Sequence, residues 1–181
     1  MQLNLDEIEA KLLLELQENP RMSISGLSTL LGVSRPTINK TLDEMFKQEK
    51  MLITAGINAK YQKCKLANIG ISVLTPDNRS RVVDILSKCP KILNIYRTPN
   101  TANLIVTLYG LDEQSITSTM NCIGDLDQVE IKFSNYLGTP LKNMAIPIVK
   151  GDNSDTPCGK NCFECMNHKN EWCTGCYTHP V

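Results

Sequence analysis

The sequence reads as an α+β protein in three parts. A winged helix-turn-helix is expected over residues 1–60, a ferredoxin-like βαββαβ domain over 61–150, and a small Cys-rich metal-binding module over 151–181. Three observations carry this reading. Apolar residues recur at helical spacing through the N-terminal part, punctuated by Pro20 and Gly32. The middle part alternates strand-like and helix-like apolar blocks. Five of the eight cysteines, Cys158, Cys162, Cys165, Cys173 and Cys176, close the chain in a C-x3-C-x2-C-x7-C-x2-C pattern.

In the first part, Leu5, Ile8, Leu12 and Leu16 mark one helix face, with Asp6, Glu7 and Glu9 at the end where the helix dipole favours acids. Asn19-Pro20 ends that helix. Ser23 caps a second helix with Leu27, Leu30 and Leu31 inward, and Gly32 supplies the left-handed stop. Ser34 caps a third, whose first turn tolerates Pro36 because that N–H has no helical partner. Ile38, Leu42, Met45 and Phe46 form its expected inner stripe. Residues 51–54 read as a strand.

Two helices joined by a short turn at Gly32 make a helix-turn-helix, whose second helix enters the major groove of double-stranded DNA by its N-terminal end. The expected contacts are Ser34, Arg35, Thr37, Lys40, Thr41 and Lys47. Arg35 suits a guanine edge or a phosphate; the threonines and Lys40 suit phosphate, sugar or methyl groups. Use of the same helices for protein contact alone is the bland alternative. A basic outer face at the helix start weighs against it. The overall net charge of zero does not, because Val33 to Lys63 holds six basic groups against three acidic.

The run LDEIEAKLLLELQEN, the segment GVSRPTINKTLDEM and the following I-x-A-G-I resemble, in order and spacing, the N-terminal domain of the leucine/asparagine-responsive (Lrp/AsnC) transcription regulators. With the middle domain, the resemblance spans residues 3–145. It implies a DNA-binding regulator, not an enzyme, that forms dimers and larger assemblies such as tetramers or octamers. It also implies small effectors, often amino acids, bound between dimers. Gly26 departs from the usual helix former and softens the second helix by up to ~1 kcal/mol.

The middle part runs strand (64–75), helix (78–89), two strands (92–97 and 103–109), helix (113–123) and strand (129–136). Where the family's loop carries a glycine and then an acid, this chain has Thr98-Pro99-Asn100-Thr101-Ala102-Asn103, which counts against ordinary amino-acid sensing. A haem-pathway decarboxylase built on the same two domains would need middle-domain histidines, and residues 61–150 hold none. Cys64, Cys89 and Cys122 read as small apolar fillers.

Residues 151–157 read as a polar linker. The cysteines that follow suit a soft metal, because short spacers bring sulfurs together at small loop-closure cost. Four thiolates would close a zinc site or hold an iron–sulfur cluster; copper also remains open, and the fifth cysteine is an exchangeable ligand or redox thiol. His168 and His179 are candidate ligands, with exposed bystanders the simpler reading. Phe163, Trp172 and Tyr177 would pack around a purely structural staple. The tail is similar in kind to the TRASH metal-sensing modules of archaeal regulators, though its spacing lacks their long gap. There is no signal-peptide pattern and no membrane-spanning apolar run, so a cytoplasmic location with reduced thiols is expected. Function is accordingly expected to be transcription regulation responsive to metal or redox state. The alternative is a regulator sensing an amino acid or other metabolite, with the cysteines a structural staple.

Overall fold

The computed structural model describes residues 4–146 and 156–175. It divides into two compact units, Met1–Thr54 and Ala55–Val181. The expected middle domain and tail thus share one unit.

The first unit holds α1 (Glu7–Glu18), α2 (Ile24–Leu31) and α3 (Arg35–Lys47). Each start is set by a side chain at the cap. Asp6 accepts the Glu9 N–H and Glu9 returns the bond, while Ser23 accepts from Gly26 and Ser34 from Thr37. Gly32 ends α2 at φ 65°, a left-handed conformation that costs glycine nothing. Leu12, Leu27 and Ile38, one from each helix, meet with no exposed surface. Two expected inner residues face out instead: Leu30 is 56% exposed and Phe46 45%. Residues 51–54 form no strand, so the described part of this unit is a three-helix domain without the expected wing. Met51 is buried, but Leu52 and Ile53 are exposed, a pattern without the alternating partner contacts a strand requires.

Glu9 is a buried carboxylate held by the Lys50 ammonium at 2.8 Å. The Lys50 hydrogen bond, and then the Asp6 N–H, keep its carboxyl below the ordinary value.

The second unit is built on an antiparallel sheet of β2 (Lys65–Val73), β3 (Ile92–Arg97), β4 (Leu104–Gly110) and β5 (Val129–Leu137) in the order β3-β4-β2-β5. Helices α4 (Pro76–Lys88) and α5 (Glu113–Gly124) connect β2 to β3 and β4 to β5. That strand order is the ferredoxin-like arrangement expected for βαββαβ. Burial alternates along β4, with Leu104, Val106 and Leu108 packed against Val82, Leu86, Ile116 and Ile123 of the two helices. A bulge at Gly70 and Ile71 shifts the β2–β5 register, and Gly70 leaves room for the Phe133 ring, which a Cβ there would strike. A small pair, β1 (Ile57–Asn58) with β6 (Ala145–Ile146), closes over Cys64, which is buried as a small apolar filler.

The depressed folded value of Glu9 means that its contact stabilises above the ordinary carboxylate range and is lost as pH falls through the folded value. Lys50→Met is therefore expected to lower the urea midpoint at pH 7, with the difference from the unaltered protein shrinking toward pH 3. A deficit that stays constant from pH 7 to 3 would show that the pair contributes no pH-linked stability.

Candidate nucleic-acid interface and thiol site

Helix α3 advances about 100° per residue. Ile38, Leu42 and Met45 turn inward together. Lys40 and Lys47 then point directly away from them, with Thr37 beside them on the exposed surface. Thr41 sits on the flank and is half-buried. Arg35 lies closer to the Leu42 edge, but its place in the first turn leaves it exposed. Ser34 is engaged by its own helix: its hydroxyl caps Thr37 N–H and pairs with the Thr37 hydroxyl at 2.8 Å. Lys40 makes only a 3.8 Å, solvent-exposed contact with Glu44, so its ammonium is available at little cost to a phosphate. The six expected contact residues thus divide into an outward trio of Thr37, Lys40 and Lys47, a first-turn Arg35, a half-buried Thr41 and a capping Ser34.

The second site lies where the tail meets α5. Residues 156–175 contain one short helix, α6 (Met166–Lys169), and otherwise turns. They are fastened to the sheet domain by polar contacts. Thr174 N–H donates to Ser118 Oγ at 2.9 Å, and Lys91 Nζ donates to Thr174 Oγ1 at 2.7 Å. Asn167 Nδ2 donates to Asp125 Oδ2 at 3.0 Å. Ser118, Cys122 and Asp125 follow one another at four- and three-residue spacing, so α5 presents a single face to the tail. Ile116 and Ile123 face the sheet core.

A cavity of about 130 Å³ opens at this junction. Cys158, Cys162, Cys165 and Cys173 line it from the tail, and Cys122 lines it from α5. Cys122 Sγ stands 3.6 Å from Cys173 Sγ and donates to it. That bond, helped by the Gly175 N–H, Ser118 and the Lys91 charge, pulls the Cys173 thiol down to about 5, whereas the same contact and burial push Cys122 up. Lys91 is itself buried, and its charge favours the ionised form of the Cys173 thiol. His168 donates its Nδ1–H to the Cys173 carbonyl at 2.8 Å, which fixes the ring against the knuckle.

Cys122 corrects the sequence reading: it is a wall of the thiol cavity rather than a core filler. Nothing local to CIG marks it, because its partner lies 51 positions away. The expected aromatic packing is also absent, since Phe163 and Trp172 are each 67% exposed. Cys176, His179 and Tyr177 lie outside the described residues, as does most of the expected linker. Among the described residues, no three Cys, His, Asp or Glu side chains already converge tightly enough to hold an ion. The donor set nevertheless fits a soft metal, with four tail sulfurs and one from α5 around a single cavity.

The loop expected to matter for amino-acid sensing has a structural role. Asn103 accepts the Val73 N–H at 3.1 Å and donates to the Val73 carbonyl at 2.9 Å, a two-way bond that an aspartate cannot make. A separate open cleft of about 730 Å³ runs between α4 and β3, lined in part by Arg79, Ser80, Asn94 and Arg97. The Nε of Arg79 is buried there without a hydrogen-bond partner.

Residues 5–45 match the AsnC-type helix-turn-helix domain. Over 133 residues the chain is 23% identical to the HTH-type transcriptional regulator FL11 of Pyrococcus horikoshii, covering 72% of this chain and 87% of that protein. The leucine response regulatory protein LrpA of Mycobacterium tuberculosis shares the fold at a TM-score of 0.68 and 18% identity, over 79% of this chain and all of that one. A feast or famine regulatory protein from M. tuberculosis, solved in complex with L-methionine, matches at a TM-score of 0.64 and 17% identity, over 78% of this chain and 99% of its own. FL11 is named as a transcriptional regulator and the two solved structures as regulatory proteins. Among the described residues, no helix is long and apolar enough to cross a membrane.

The docking contacts can be tested directly. Replacing Ser118 and Asp125 together by alanine removes two hydrogen bonds of about 1 kcal/mol each, so trypsin cleavage at Lys160 and Lys169 should accelerate by about tenfold or more. Unchanged cleavage rates would mean that the tail is fixed by other contacts.

Proposed function

We propose that this chain, a DNA-binding transcription regulator of the Lrp/AsnC type, tunes its operator affinity through the metal or redox state of its thiol-rich tail. The observation that carries the sensing part is the cavity in which four tail cysteines face a cysteine of α5. The helix-turn-helix supplies the output: Thr37, Lys40 and Lys47 offer hydroxyl and ammonium groups to the phosphate backbone, and Arg35 reaches base edges from the first turn. A metal centre, whether zinc, an iron–sulfur cluster or copper, would be held by the tail thiolates Cys158, Cys162, Cys165, Cys173 and Cys176. It would supply bonds that hold the tail in one arrangement. The tail's own residues grip α5, and α5 packs on the sheet, so binding that favours one tail arrangement favours one state of this domain. Homo-oligomerisation fits the same reading: Phe133 and Leu137 of β5, paired with Gly70 and Leu66 on the face away from the helices, are partly uncovered, as a sheet face used for dimer packing would be.

Gel shifts on the DNA upstream of the chain's own coding region test the proposal. Anaerobically purified protein and chelator-treated protein should differ in affinity; equal affinities would reduce the tail to a staple. Elemental analysis and a visible spectrum of the same sample identify the metal. On that DNA, Lys40→Ala should weaken binding to all sequences alike and flatten the salt dependence by about one ion. Arg35→Ala should relax base preference at one position by about 1–3 kcal/mol. A salt slope and base preference unchanged in both variants would remove α3 from the interface.

A second reading, metabolite sensing, is favoured by the cleft at Arg79 and Arg97, whose guanidinium groups suit a carboxylate. Its structural neighbour with L-methionine shows an amino acid bound to a protein of this fold. A thermal-shift screen of amino acids, with Arg79→Ala as control, separates the readings. A stabilising ligand whose effect vanishes in the variant supports metabolite sensing; a flat screen excludes it for amino acids.

A further inference from the structure

We propose that Cys122 of α5 is itself a ligand of the tail's metal site, so that the ion joins the tail to the sheet domain by a coordinate bond. The proposal rests on the metal reading above and extends it to a residue outside the tail. Four features of the structure support it. Cys122 is directed into the cavity lined by Cys158, Cys162, Cys165 and Cys173. Its sulfur lies 3.6 Å from that of Cys173. Two thiolates on one tetrahedral ion with bonds near 2.3 Å stand ~3.8 Å apart, whereas a disulfide requires ~2.05 Å. In a cubane cluster the thiolates sit on different irons and lie farther apart, so the pair fits a single tetrahedral ion such as zinc.

The second feature is pre-organisation. Ser118 and Asp125, on the same face of α5 as Cys122, hold Thr174 and Asn167 of the tail. These contacts bracket the sulfur pair and place Cys173 against α5 without any ion. The third is electrostatic. A site of four thiolates around a divalent ion carries net negative charge, and the buried Lys91, bonded to Thr174, offsets it. The fourth is that the described aromatic side chains of the tail, Phe163 and Trp172, are exposed and do not fix its position. Cys64 does not share this setting: it is buried with Ala59 and Ile146, away from the cavity.

Cobalt(II) titration of the full chain under anaerobic conditions tests the assignment. Each thiolate on cobalt contributes to the charge-transfer band in the near ultraviolet. Cys122→Ser should lose roughly a quarter of that intensity and bind at least about tenfold more weakly. Cys122→His, which keeps a donor, should recover most of the affinity with an altered band. Cys64→Ala should bind like the unaltered chain. A second measurement needs no variant: saturating zinc should slow N-ethylmaleimide labelling of Cys122, mapped by mass spectrometry, by about the same factor as labelling of Cys173. An unchanged cobalt spectrum in Cys122→Ser, an equal loss in Cys64→Ala, or zinc protection of Cys173 without Cys122 would overturn the inference while leaving the tail as a metal site. A full chain that takes up neither cobalt nor zinc would overturn the metal reading itself, and this inference with it.

Discussion

Twenty described residues of the tail have to be fixed by something other than apolar burial. Their two described aromatic side chains face solvent, and their only helix is a single turn. What holds them is the polar face of α5. A segment ordered by three or four hydrogen bonds and a cluster of thiols is marginal by construction, because ordering each residue costs of order 1–2 kcal/mol. The docked position of the described tail therefore rests on few contacts.

That places α5 between two environments. One side of the helix, through Ile116 and Ile123, is part of the close-packed sheet core and cannot shift without cost. The other side, through Ser118, Cys122 and Asp125, is the tail's anchorage. Among the described residues, the hydrogen bonds that tie the tail to the domain come from this helix and its C-cap and from Lys91, which precedes β3 and bonds Thr174. Coupling by this route is physical in the sense that it runs through named contacts, each of which a single substitution removes.

Much of this was legible in the sequence, and what was not has a common cause. The caps at Ser23 and Ser34, the left-handed Gly32 and the succession of strands and helices along the middle domain are consequences of local pattern, and local pattern is what a sequence displays. Residues 51–54 misled because four apolar or β-branched side chains look like a strand whether or not a partner exists, and none pairs with them. Leu30 and Phe46 sit at helical spacing with the core yet face outward, since spacing fixes a stripe and not how far around the helix the neighbours reach. Cys122 was hidden for a different reason. A cysteine amid apolar neighbours on a helix looks the same whether it faces a core or a distant thiol, and only the fold brings positions 122 and 173 together.

The same residue bears on whether a thiol cluster at the end of a regulator is a staple or a sensor. For a cluster whose ligands all lie in the tail, the two readings differ: the metal would fold the tail, and the domain beneath would be indifferent. A cluster that borrows one sulfur from α5 leaves no such separation. Closing the site then requires the tail to be docked, so the metal's binding free energy includes the docking free energy, and each favours the other by the same factor. Conversely, with such a site, oxidation of Cys173 or loss of the ion would remove a bond to the sheet domain. Structural stapling and chemical sensing would then be two descriptions of one equilibrium, and the donor of the fourth thiolate would decide whether the sheet domain takes part in it.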